Sequence, residues 1–534
     1  MISTENVTLQ YGKRTLFEDV TIKFNPQTCY GLIGANGAGK STFLKILAGE
    51  IEPNKGSVNM PPNTRLSVLK QNHYEFDEFT PLQTVMMGHK RLYDVLAEKD
   101  AIYANPDATE DDFMRAGELE GIFADLDGWN AEPEAAKLLS GLGIVESQHH
   151  TELKYLNESE KVRILLAQAL FGNPDVLLLD EPTNGLDIES VTWLENFLMD
   201  FENTVIVISH DRHFLDAVCT AIADVDFKKI QLYVGNYSFW YESSQLALRQ
   251  KQDQNKKTED KRKDLEEFIR RFSANASKSR QATSRQRLLE KLTLEDITPS
   301  SRKYPYIAFK ADREAGDQLL SVENLTKTAE DGTVLLKNVT FTLRKGEKVV
   351  FLCRNPKVLT TLFDILMEET KPDSGEFRWG VTTTRAYLPT DNSSFFDGID
   401  LNLVDWLRQY SAEKDESFIR GFLGRMLFSG EEALKQAKVL SGGEKVRCML
   451  SRMMLSGSNV LLLDEPTNHL DMESIISLNN AMTDFAGTML FTSHDHQLVQ
   501  TVATRVIEIK EEGIIDKLST YDEYLEEKAS KTAV

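Results

Sequence analysis

At 534 residues, 41% apolar and 27% charged, the chain has the length of two to four domains and the composition of a globular protein with real cores, which excludes a disordered chain. No apolar run approaches the ~18 residues that a membrane helix needs, no cleavable signal follows Met1, and four scattered cysteines exclude a disulfide scaffold or zinc ribbon and suit a reducing cytosol. The net charge of −22 excludes a surface that is basic throughout, so a polyanionic partner would have to meet a local basic patch.

The first strong signal is Gly34-Ala35-Asn36-Gly37-Ala38-Gly39-Lys40-Ser41, a full match to GxxxxGK[ST]. It follows the apolar run Tyr30-Gly31-Leu32-Ile33 and opens a helical stretch from Thr42 to Ala48. Its glycines let backbone N–H groups turn onto phosphate oxygens, and the helix N-terminus adds positive potential. Lys40 is then placed for the β- and γ-phosphates, and the Ser41 hydroxyl for Mg²⁺.

Residues 88–128 read as two helices broken at Asn105-Pro106-Asp107. From Glu98 to Asp127 there are ten acids against Lys99 and Arg115, which suits either a solvated excursion or a partner-binding arm. Val176-Leu177-Leu178-Leu179 then forms a buried strand tipped by Asp180 and Glu181. There Asp180 would hold the Mg²⁺ shell and Glu181 would orient and deprotonate water. His210 ends another apolar strand, Val205–Ile208, and reads as a γ-phosphate sensor in that company, although a lone histidine is more often structural.

Residues 238–303 form a polar, helix-rich linker. A helix of roughly 30 residues would reach about 45 Å, so the segment is expected to project as a hairpin. Its centre carries Arg270, Arg271, Lys278, Arg280, Arg285 and Arg287 with no acid between Phe268 and Arg287, and Phe268 and Phe272 interleave. In so acidic a chain this is a focused cationic tip. It suits structured RNA read through phosphate and shape, against the plainer reading of a solvated helix joint.

Beyond the linker the chain repeats itself. Asp180-Glu181-Pro182-Thr183-Asn184 recurs as Asp464-Glu465-Pro466-Thr467-Asn468, His210 as His494, and Glu160-Lys161-Val162-Arg163 as Glu444-Lys445-Val446-Arg447, all at a spacing of 284. Leu440-Ser441-Gly442-Gly443-Glu444 offers a second glycine-rich helix start for an anion. The second phosphate loop, Cys353-Arg354-Asn355-Pro356-Lys357-Val358-Leu359-Thr360-Thr361, has lost its glycines, and Leu359 stands in place of the lysine. The first counterpart of the serine-glycine-glycine string is Asn157-Glu158-Ser159, with a carboxylate where glycine stood.

These strings resemble the signature motif of ATP-binding cassette (ABC) ATPases. The tandem layout, linker and arm resemble a soluble protein of the ABC-F family, nearest its YbiT/YkpA-type translation-factor subgroup. The resemblance implies an α/β fold of two P-loop cassettes, residues 1–237 and 316–534, joined by the 238–303 hairpin, with ATP and Mg²⁺ as ligands. It makes Gln71 the loop glutamine near Mg²⁺ and water, places Asp187 and Asp471 in loops between cassettes, and assigns Tyr11 to adenine stacking, for which packing is the alternative. Thr42 joins the phosphate-loop contacts. Thr390 replaces the second loop glutamine.

In such proteins the two cassettes close head to tail, so each ATP lies between one phosphate loop and the other copy's signature. Under that pairing every defect falls in one site, which retains Thr360, Thr361, Asp464, Glu465 and His494. The other site keeps Gly34–Ser41, Gln71, Asp180, Glu181, His210, Ser441, Gly442 and Gly443. The expectation is therefore a cytoplasmic, monomeric ATPase with one competent site and no membrane association. The resemblance further implies a hairpin entering the ribosomal tRNA exit site, with rRNA and tRNA as partners. It sends the arm to the neighbouring stalk, where acidity favours a basic ribosomal protein. Ribosome protection against antibiotics and the ATP-binding subunit of a membrane transporter are the alternatives; a DNA-end or damage protein would carry very long coiled coils or zinc-binding cysteines, and this sequence has neither.

Overall fold

The structure, a computed structural model, describes residues 1–534 apart from 13, 71, 73, 248, 251–262, 266, 268–301, 330–331, 511–512 and 533–534. Gln71 and the basic-tip residues Arg270, Arg271, Lys278, Arg280, Arg285 and Arg287 thus lie outside the described residues. The chain divides into two units, Met1–Asn184 with Trp193–Ser301, and Gly185–Thr192 with Arg302–Val534. Among the described residues no helix is long and apolar enough to cross a membrane.

In the first unit the apolar runs Thr28–Gly34, Val176–Asp180 and Thr204–Ile208 become adjacent parallel strands buried along nearly their whole length. Continuous Val, Ile and Leu runs behave this way because parallel strands are covered on both faces. The sheet order is Leu66–Val68, Val176–Asp180, Thr204–Ile208, Thr28–Gly34, Ala221–Asp226 and Lys229–Val234, with only the last pair antiparallel. Thr28–Gly34 lies centrally between strands that come later in the chain. The loop leaving its carboxyl end therefore opens at a topological switch point, where open α/β sheets bind ligands.

Helix Lys40–Leu47 follows that loop and buries Phe43, Leu44, Ile46 and Leu47. Their partners include Phe17 and Phe24 of a three-stranded antiparallel sheet ordered Arg14–Phe24, Ile2–Tyr11, Lys55–Asn59. Phe17 meets Phe43 edge-on at 5.5 Å, and Phe24 meets Tyr30 edge-on at 4.9 Å. This core anchors the helix that carries Lys40 and Ser41.

The arm helices span Lys90–Ala104 and Glu110–Asp125. Asn105 is extended, as a residue before proline tends to be, and the second helix begins with a Thr109–Asp112 capping box. Arg115 pairs with Glu98 at 2.9 Å, and the Tyr103 hydroxyl donates to Glu120 at 2.8 Å, tying the helices side by side. The cysteines look unrelated in sequence, yet the Sγ atoms of Cys29 and Cys219 come within 3.9 Å in the buried core.

The second unit repeats the plan. Its six-stranded sheet is ordered Arg385–Leu388, Val460–Asp464, Thr488–Thr492, Lys348–Leu352, Arg505–Lys510 and Gly513–Lys517, again with one antiparallel edge pair. Val334–Arg344, Gln318–Thr328 and Ser374–Trp379 form its three-stranded sheet.

Candidate nucleotide site

Gly34 ends the central strand, Ala35 to Ala38 form a tight turn in which the Ala38 N–H donates to the Ala35 carbonyl at 3.0 Å, and Gly39 caps the helix. Two of the glycines are sterically required. Gly39 has φ of 105°, and a Cβ on Gly34 (φ 151°) would sit 2.6 Å from the Val225 carbonyl oxygen. Lys40 is buried, and its Nζ donates to the Gly34 and Ala35 carbonyls at 2.7 and 3.4 Å. The ammonium is thereby held over the mouth of the loop. Ser41 and Thr42 occupy the first helical turn. Tyr11 ends its strand at the hairpin with Arg14, and its ring is about half exposed.

Asp180 ends the neighbouring but one strand, and the chain then turns at Glu181, whose φ is +53°. The Glu181 N–H donates to the Ile208 carbonyl at 2.9 Å. Its carboxylate accepts from the His210 N–H at 3.2 Å and lies 3.3 Å from His210 Nε2. Burial pushes the Glu181 carboxyl up to about 8; the His210 N–H and the Lys40 ammonium pull it down, and Asp180 and Asp211 push it further up. Loop, lysine and the two strand tips are thus within electrostatic reach of one another.

The same strand tips in the second unit are wired differently. Helix Pro356–Leu366 begins three residues before Leu359, so helix occupies what is loop in the first unit. Pro356 starts it with a φ already set for helix, the Asn355 side chain caps it, and Leu359 is buried in the hydrophobic core. The Thr360 hydroxyl donates to Asp464 Oδ2 at 2.7 Å and the Thr492 hydroxyl to Oδ1 at 2.8 Å. Thr390 donates to the Asp464 carbonyl at 3.4 Å, and the Glu465 N–H to Thr492 at 2.9 Å. Thr361 turns back to the Lys357 carbonyl at 2.7 Å. Glu465 and His494 keep the first unit's arrangement, with N–H to carboxylate at 3.3 Å and Nε2 at 3.4 Å; burial raises the Glu465 carboxyl.

Thr492 was not singled out from sequence. The residue at its place in the first copy is Ile208, so the repeat alignment alone could have marked it.

The second copy also bears on whether the first can hold Mg²⁺. Thr360 stands where Ser41 does and Asp464 where Asp180 does, and their oxygens are 2.7 Å apart. The fold therefore brings a first-turn hydroxyl and a strand-tip carboxylate together, an oxygen donor pair suited to Mg²⁺. Among the described residues no cluster of three or more His, Cys, Asp and Glu side chains could hold a metal by itself.

Ser441 caps helix Gly442–Leu455 in a capping box with Glu444, whose carboxylate accepts from the Ser441 N–H at 2.9 Å and from Lys435 at 2.7 Å. The glycines have a packing reason beyond anion access. A Cβ on Gly443 would lie 2.5 Å from the His469 carbonyl oxygen, and one on Gly442 3.0 Å from its ring. His469 itself sits at φ 65°, a position taken by Gly185 in the first copy. Bulk and glycine have therefore traded places: Gly442-Gly443 with His469 in one copy, Glu158-Ser159 with Gly185 in the other. Asn157 caps helix Glu158–Leu170, bonding the Glu160 N–H at 2.9 Å. Asp187 and Asp471 each accept a hydrogen bond from the N–H three residues on.

A family model described as ABC transporter matches residues 17–184 and 336–468, and a second of the same description matches 223–309. YkpA of Bacillus subtilis, an uncharacterized ABC transporter ATP-binding protein, is 64% identical over 98% of this chain and 97% of its own. YbiT of Escherichia coli O157:H7, a probable ATP-binding protein, is 45% identical over 99% of each chain. The energy-dependent translational throttle protein EttA of Haemophilus influenzae is 34% identical over 96% of this chain and 93% of its own. Among solved structures, the archaeal ribosome recycling factor aABCE1, in complex with stalk protein aP1, superposes with a TM-score of 0.63 at 18% identity, over 98% of this chain and 92% of that one. Two repeated cassette folds, two matched cassette segments and full-length relatives together place the chain in the ABC-F family of ATP-binding cassette ATPases, in its YbiT/YkpA-type subgroup.

Proposed function

We propose that the chain is a cytoplasmic, ribosome-binding ATPase that modulates translation through its interdomain hairpin, closing on ATP and releasing after hydrolysis. The observation that carries this reading is the full-length similarity to a protein named as a translational throttle, together with an acid-free basic run in the linker of a −22 chain. Phosphate-rich RNA partners suit that run, through Arg270, Arg271, Lys278, Arg280, Arg285 and Arg287.

Hydrolysis is assigned to one pocket. Gly34 to Thr42 hold the phosphates, Tyr11 faces the adenine, and Ser441, Gly442 and Gly443 complete the pocket when the cassettes close. Ser41, Asp180 and Gln71 would hold Mg²⁺, which neutralises phosphate charge when bound. Glu181 orients and deprotonates the attacking water, and His210 steadies Glu181 through its N–H and senses the γ-phosphate. The other pocket would pair the helix-filled second loop with Glu158, whose negative charge repels phosphate, and Thr360, Thr361, Asp464, Glu465 and His494 serve its structure.

Ribosome sedimentation of Glu181→Gln with and without ATP, across a salt series, tests the proposal. ATP-dependent pelleting with ribosomes that weakens steeply with salt is expected. Pelleting with membranes instead would sink it and favour a transporter subunit.

A further inference from the structure

The root of the arm holds a cleft of about 790 Å³, within the ~300–1,000 Å³ of small-molecule sites. Leu82 and Met86 of helix Pro81–Met86, Leu96 and Lys99 of the first arm helix, Phe123 of the second and Trp129 in the turn that follows line it, and helix Ala131–Gly141 with the segment 146–150 forms the remaining wall. The cleft therefore straddles the joint between arm and cassette.

Lys99 sets its chemistry. The residue is only 8% exposed, and its Nζ lies 4.4 Å from the Phe123 ring centre and 5.0 Å from that of Trp129. Among the described residues it has no carboxylate partner. The two rings recover part of what a buried ammonium loses on leaving water, and an anion would recover more. Glu132, Glu146 and Lys137 also line the cleft but are exposed to water, so among the described residues lining it the buried charge is Lys99. His149 is not a competing donor, since its Nε2 is engaged with the Ile144 carbonyl at 3.1 Å. Trp129 is 64% exposed and offers an open aromatic surface next to the charge.

We propose that this cleft binds an amphipathic carboxylate, with its acid on Lys99 Nζ and its apolar part against Phe123, Trp129, Leu96 and Met86. Such a ligand touches both arm helices and helix Pro81–Met86, so its binding fixes the arm against the cassette. The inference stands apart from the nucleotide site.

Calorimetry on the full chain with octanoate, 1-octanol and octylamine tests it, alongside a short leucine-rich peptide with a free or an amidated C-terminus. Octanoate should bind, octanol and octylamine should bind far more weakly, and Lys99→Met should weaken octanoate about tenfold or more. Tighter binding of the free-acid peptide than of octanoate identifies a peptide C-terminus as the ligand class; the reverse order identifies a fatty acid. Trp129→Ala, at an exposed position, serves if Lys99→Met does not fold and should also weaken binding. Equal affinity for octanoate and octanol, octanoate binding that survives both substitutions, or no binding of either carboxylate probe would overturn the proposal.

Discussion

Thr492→Val separates a structural second site from a catalytic one. Thr492 is 1% exposed; its hydroxyl donates to Asp464 Oδ1 at 2.8 Å and accepts from the Glu465 N–H at 2.9 Å. Valine has nearly the same shape, so the packing survives while a buried N–H and a buried carboxylate oxygen each lose a partner. At about 1–3 kcal/mol for each of the two groups left unsatisfied, the loss comes to roughly 2–6 kcal/mol. For a unit of this size each kcal/mol moves Tm by about 2–4 °C, so the second unit should melt roughly 4–24 °C lower. Thr492→Ser keeps both hydrogen bonds and gives up one methyl, about 1 kcal/mol. Differential scanning calorimetry should therefore rank valine well below serine, while ATP turnover below the transition persists. A valine variant as stable as the serine one would refute the claim that Thr492 and Thr360 hold Asp464 for structure.

Three further outcomes follow from the geometry. Glu181→Gln keeps the side-chain shape beside His210 but removes the base, so phosphate release should fall by about 10²–10⁴-fold, with nucleotide still bound; equal turnover would refute the assignment. Gly443→Ala drives a Cβ to 2.5 Å from the His469 carbonyl and should cost about 1–3 kcal/mol by thermal melting, more than Gly442→Ala, whose contact is a movable ring. Glu508 is buried, which opposes its charge, yet hydrogen bonds from Tyr524 at 2.6 Å and Lys528 at 2.9 Å leave its carboxyl below the usual range. A carboxyl depressed on folding stabilises above its unfolded value of about 4.3 and loses that contribution as pH falls through the folded value, so the Tm gap between wild type and Glu508→Gln should close in acid.

The first phosphate loop was legible in the sequence because its chemistry needs glycines and a lysine at fixed spacing, and Gly34 and Gly39 prove sterically necessary. The arm was legible because Asn105-Pro106 interrupts two helical patterns, and the helices end and restart there. Loss of the second loop could be read from Leu359, but what replaced it could not. A helix starting at Pro356 and a carboxylate held by two threonines depend on contacts between residues far apart in the chain, such as Thr360 with Asp464. The Cys29–Cys219 approach and the trade between Gly443 and His469 escaped for the same reason: each couples segments whose spacing carries no motif. The basic tip was read from charge alone, and its residues lie outside the described structure.

The most direct test of the account is the number of nucleotides that a hydrolysis-blocked chain retains. Equilibrium dialysis of Glu181→Gln against radiolabelled Mg·ATP should give a single ATP per chain, and Lys40→Ala in that background should abolish it. Two ATP per chain, or one that survives Lys40→Ala, would contradict a lone competent pocket built on the Gly34–Ser41 loop.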